Sequence, residues 1–90
     1  MTTPSDLIRA RDVLESIDDA ILDALVRRAA LVRDIAELKE SHGLAFRDEA
    51  RERATVARWR SRAAEAGLDP EVAEQVARAV LGVRLSSRAE

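Results

Sequence analysis

Cysteine and tyrosine are missing from this chain, and lysine, histidine, tryptophan, phenylalanine and methionine each occur once. The lack of cysteine removes disulfides, thiolate nucleophiles and Cys-ligated zinc together. His42 is the one histidine, so a metal would rest on carboxylates, and these show no recognisable ligand spacing. It is read as a partner for a helix's carboxyl-terminal dipole or as a solvent-facing group, not as a catalyst. Neither a Ser-His-Asp arrangement nor a glycine-rich phosphate loop is present, and only three glycines occur. Long apolar runs are lacking too: the longest is Ala29–Val32, and the start, Met1-Thr2-Thr3-Pro4-Ser5-Asp6, is polar. No signal peptide or membrane span fits, and a cytoplasmic location is expected. Neither charge sign dominates. Fifteen bases against seventeen acids give a net charge of −2, which argues against a phosphate-backbone binder, whose affinity is largely cationic. No cofactor, metal, nucleic acid or membrane is expected as a ligand.

What is present is helix-forming material. The 90 residues are 47% hydrophobic and 36% charged but only 2% aromatic, with Ala, Leu, Arg and Glu prevailing, so a single all-α domain spanning 1–90 is expected. Helices are predicted over about 4–41, 48–66 and 70–86. Thr3, Pro4 and Asp6 form a capping-box-like start. From there Leu7, Ala10, Leu14, Ile17, Ile21, Ala24, Arg28, Leu31, Ile35 and Leu38 step by fours and threes, an unbroken heptad seam that ends at Gly43. Asp48 can cap a second helix with the inner stripe Glu52, Val56, Trp59 and Ala63, in which Trp59 is read as core. Asp69, Pro70 and Glu71 supply the cap, first position and acidic first turn of a third. Its apolar face is Val72, Ala73, Val76, Val80 and Val83.

Length then becomes an argument about assembly. A first helix from Pro4 to Ser41 would reach ~55 Å, whereas a compact 90-residue monomer has a radius of gyration of only ~12 Å. Such a rod cannot hide its seam inside its own domain, and a chain this short is marginal alone. A second copy packed along the seam is the economical cover, so an intertwined homodimer is predicted.

Most charges lie off the apolar stripes, and Glu15, Asp19, Arg33, Glu37, Arg58, Arg62 and Glu74 are read as solvated helix faces. Several others do not fit that reading. Arg28 takes a seam position between Ile21 and Ile35, where an unpaired guanidinium is costly. Lys39 follows eleven residues later, within ~20° of the same face. Arg11 borders the seam but lies ~25 Å below Arg28 along the axis, so only antiparallel helices of two subunits could bring them together. Glu52 heads the inner stripe of the second helix, one turn after Asp48. Inward cations beside an inward carboxylate have two readings: a salt-bridge network fixing dimer register, or a pocket for a small dicarboxylate that also offers hydroxyls.

The pattern resembles the all-helical AroQ class of chorismate mutase. The likeness runs from about Leu7 to Leu81. It includes Arg47-Asp48-Glu49-Ala50-Arg51-Glu52-Arg53, near the family's Arg-Asp-x-x-Arg-Glu-Arg signature, together with Leu14, Ile17, Asp18, Ile21 and Leu22, the Arg27-Arg28 pair and Lys39. The resemblance implies an intertwined dimer of three-helix subunits that rearranges chorismate to prephenate without a cofactor. Arg28 and the partner chain's Arg11 would hold the two carboxylates, and Lys39 would donate to the ether oxygen. Glu52 would take the ring hydroxyl, helped by Asp48 and backbone near Arg51.

The third helix departs from the family, which offers a Ser and then a Gln toward the substrate. Arg84 and Arg88 stand there instead, as a further carboxylate clamp and a donor to the ether oxygen. Leu81-Gly82-Val83-Arg84-Leu85 is similar to the tail of an actinobacterial subclass that a shikimate-pathway synthase activates, so such a partner is a further expectation. Related enzymes act as 4-amino-4-deoxychorismate mutase or isochorismate pyruvate-lyase, and a non-enzymatic helical dimerisation module is the remaining alternative.

Overall fold

The computed structural model describes residues 3–44 and 48–86. Three helices and no strand occur among them: α1 (Pro4–Ser41), α2 (Glu49–Ala66) and α3 (Pro70–Leu81). α1 begins as its sequence dictates. Thr3 Oγ1 accepts the Asp6 N–H at 3.1 Å while the Asp6 carboxylate accepts the Thr3 N–H at 3.2 Å, with Pro4 at the first helical position. It ends where Gly43 adopts φ +68° and the Leu44 N–H closes on the Lys39 carbonyl at 2.7 Å.

α2 and α3 form an antiparallel-type hairpin around Gly67, whose φ of +81° ends α2. Asp69 starts α3 by accepting the Glu71 N–H at 2.9 Å. The core is small: Ala29 of α1, Val56 and Ala63 of α2, and Ala77 and Val80 of α3. Small side chains let these helices approach closely, but they bury little apolar area.

The molecule is long and thin, 61 × 39 × 15 Å, with a radius of gyration of 17.6 Å against the ~12 Å of a compact chain this size. The heptad seam is the reason. Leu7, Leu14, Ile17, Ile21, Leu31, Ile35 and Leu38 remain between 43 and 59% exposed. The face of α1 that the chain itself covers lies one residue further round: Leu25, Ala29, Val32, Ala36 and Lys39 are half-buried or buried at alternating four- and three-residue steps.

Three expectations need correction. α3 stops at Leu81, not near residue 86, because Gly82 costs about 1 kcal/mol in a helix relative to Ala and the Leu81 and Val83 carbonyls accept Arg84 Nη1 instead of helical N–H groups. Trp59 is only half-buried, since α2 and α3 leave an open cleft beside it. Glu74 is not a solvated surface acid but is half-buried between two arginines.

Candidate active site

The charged residues singled out by position fall into two groups. Lys39, Asp48, Arg51 and Glu52 flank the connection between α1 and α2. Lys39 occupies the last turn of α1, where the Leu44 N–H fixes its carbonyl, and its side chain is half-buried. Asp48 is the N-cap of α2: its carboxylate accepts the Arg51 N–H at 3.0 Å and its carbonyl accepts the Glu52 N–H at 3.1 Å. Those two bonds set Glu52 in the first turn, half-buried, while the Arg51 side chain is exposed. Glu52 also sits where the positive end of the helix dipole favours a carboxylate.

The second group gathers at the carboxyl end of α3. Arg28, half-buried on the middle of α1, donates from Nη1 to the Val80 carbonyl at 3.3 Å, a contact 52 residues apart in sequence. Arg84 is exposed and donates to the Leu81 and Val83 carbonyls at 2.7 and 3.0 Å. Two guanidinium groups thus meet the negative end of one helix, as electrostatics favours.

Arg11 is exposed on the amino-terminal half of α1 and, because α1 is continuous, stays ~25 Å from Arg28 along the axis. One chain therefore does not assemble the full set. Arg88 lies outside the described residues, as does Arg47 of the signature segment.

A clamp that sequence reasoning missed holds the hairpin carrying these groups. Arg60 of α2 reaches Glu71 and Glu74 of α3, both at 2.9 Å, and Arg78 holds the second oxygen of Glu74 at 2.8 Å. The Arg78 hydrogen bond, followed by that of Arg60, keeps the Glu74 carboxyl below its ordinary value. Glu71 first, then Glu74, pushes the Arg60 guanidinium upward. The Glu74–Arg78 pair is legible as an i,i+4 spacing. The Arg60 contacts are not, because they join different helices.

Arranged this way, the chain places Lys39 and Glu52 beside the connection between α1 and α2, and Arg28 and Arg84 at the carboxyl end of α3. It matches the family described as chorismate mutase type II over residues 10–86. It is 35% identical over 77 residues to a T-protein of Enterobacter agglomerans, a match that takes in 86% of this chain but 21% of the relative. The chain therefore spans about a fifth of the length of that curated relative. No solved structure gives a significant match. With most of its length inside the family's match, the chain belongs to the chorismate mutase type II family.

Proposed function

We propose that this chain is a chorismate mutase, a single cytoplasmic domain that rearranges chorismate to prephenate as an intertwined homodimer. The observation that carries the reading is the placement of half-buried Arg28, Lys39 and Glu52 on α1 and α2 of a chain from this family. In the dimer, antiparallel α1 helices pair along the bare seam, and Arg11 of one copy reaches the Arg28–Lys39 region of the other.

The reaction is unimolecular. One carbon–oxygen bond breaks as one carbon–carbon bond forms, and no proton or electron enters or leaves, so no nucleophile, metal or cofactor takes part. Arg28 and the second copy's Arg11 grip the two carboxylates and hold the enolpyruvyl arm over the ring, which removes entropy from the barrier in advance. Lys39 donates to the ether oxygen as negative charge develops there, and a preorganised donor of this kind lowers a barrier by ~3–4 kcal/mol in a dry site. Glu52 accepts the ring hydroxyl, with Asp48 and the Arg51 backbone fixing its helix start. Arg84 and Arg88 complete the carboxyl-terminal side of the pocket.

Arg84 favours an additional element. Its guanidinium is engaged by its own helix end, so a shikimate-pathway synthase that binds this tail would release it toward the substrate.

The test is to incubate the purified protein separately with chorismate, isochorismate and 4-amino-4-deoxychorismate and identify products by mass spectrometry. Prephenate from chorismate is expected. Conversion of isochorismate or of the amino analogue alone would reassign the substrate, and three unchanged substrates would leave only a dimerisation module.

A further inference from the structure

Arg28 has one polar contact among the described residues: its Nη1 donates to the Val80 carbonyl at 3.3 Å, while Nε and Nη2 make none. A guanidinium carries its five N–H groups in a planar fork, so a bond at Nη1 restrains that plane without consuming the fork. It leaves the Nε–Nη2 edge, two parallel donors that a carboxylate takes side-on. Both ends of the bond are firmly seated. Ala29, next to Arg28, and Ala77, three residues before Val80, are the most deeply buried of the described residues, at 2% and 1% exposure, and Val80 is itself buried.

The Val80 carbonyl can receive Arg28 because of where α3 ends. The helix closes on two short three-residue bonds, from the Gly82 N–H to the Ala79 carbonyl at 3.1 Å and from the Val83 N–H to the Val80 carbonyl at 3.0 Å. The Leu81 and Val83 carbonyls are taken by Arg84. Since the chain leaves the helical path at Gly82, the end of α3 stays open to a donor from α1. Had α3 run on, the Arg84 N–H would take the Val80 carbonyl at the ordinary four-residue spacing and the next turn of backbone would cover it. The negative end of the helix dipole would also move about 5.4 Å further along.

We propose that the helix stop at Gly82 is a positioning device for Arg28. By ending α3 there, Gly82 presents the Val80 carbonyl, which holds the guanidinium by one nitrogen and reserves its Nε–Nη2 edge for a carboxylate of the ligand. The inference rests on the chorismate mutase reading above and adds to it a residue that touches no substrate. Gly82 acts through the carbonyl, and the carbonyl acts through Arg28.

The test is a double-substitution cycle read by chorismate turnover of the full chain. Gly82→Ala has room for its Cβ, which would meet only the Ala79 carbonyl at 3.5 Å, and it removes the helix stop. Circular dichroism should show about one further turn of helix, with no fall in melting temperature. The ratio kcat/KM should drop about fivefold or more, mainly through KM, because a misaimed carboxylate grip is weaker in the ground state and the transition state alike. Gly82→Asn keeps a poor helix former at the stop while adding a larger side chain, and it should hold KM within about twofold of the parent. In an Arg28→Lys background, Gly82→Ala should change kcat/KM by less than about twofold, since one ammonium cannot hold the carbonyl and offer a fork as well. The proposal is overturned by an α3 that lengthens with KM unchanged, by an α3 that fails to lengthen, by Gly82→Asn as impaired as Gly82→Ala, or by an equal loss in the Arg28→Lys background. A parent that converts no chorismate overturns the mutase reading itself, and that failure is distinct because it is seen before any substitution is made.

Discussion

Arg28 is held by a single carbonyl contact at the end of α3, and that is a positioning bond more than a stabilising one. A bond of 3.3 Å to a partly exposed guanidinium contributes little to folding, so Arg28→Met is expected to leave the melting temperature within a degree or two while removing turnover. Arg28→Ala should depress kcat and raise KM together, since a carboxylate grip acts in the ground state and the transition state alike. Lys39→Ala should behave differently. If its ammonium meets charge that appears only as the ether bond breaks, kcat falls by about 100-fold or more with a smaller change in KM. Near-normal turnover of that variant in a steady-state assay would remove Lys39 from the mechanism.

Helix ends make separate predictions. Gly67 closes α2 at φ +81° with open space around it, so the penalty for Gly67→Ala is purely conformational, about 1 kcal/mol or slightly more, read as a lower denaturation midpoint. Gly82 has ordinary right-handed geometry, and a Cβ there would meet only the Ala79 carbonyl at 3.5 Å. Gly82→Ala should therefore be tolerated and should lengthen α3, visible as added helicity by circular dichroism. The Arg60–Glu74–Arg78 clamp gives the hairpin a pH signature. Glu74 has a carboxyl held below 4.5 in the folded state, so its contribution is complete above 4.5 and disappears as pH falls through the lowered value. Melting curves of the parent and of Glu74→Gln should differ at neutral pH and converge in acid, and the difference should shrink in high salt.

The molecule is 61 Å long with a thin hairpin attached, and only five of the described residues form a buried core, which is small for a chain that folds alone. Its melting temperature should consequently rise with protein concentration, as expected when folding and association are coupled. Small-angle scattering on dilution should show no stable particle with the 17.6 Å radius of gyration of the isolated chain, because without the proposed second copy the seam of α1 stays exposed.

Local chemistry was legible in the sequence because caps and periodicity act within one or two turns. Thr3 and Asp6, Asp48, Asp69 with Pro70, and the glycines at 43 and 67 define where helices begin and end without reference to anything distant. The heptad seam likewise required a rod longer than a compact fold of this size allows. Only the tertiary structure decided which residues meet across elements. It set Arg28 on the Val80 carbonyl and Arg60 between Glu71 and Glu74, and it cut α3 short at Gly82 with Arg84 folded onto the helix end. It also opened a cleft at Trp59 where the apolar stripe had implied core. Periodicity fixes the side of a helix on which a residue sits, but not the neighbour that side receives, because that depends on how separate helices cross.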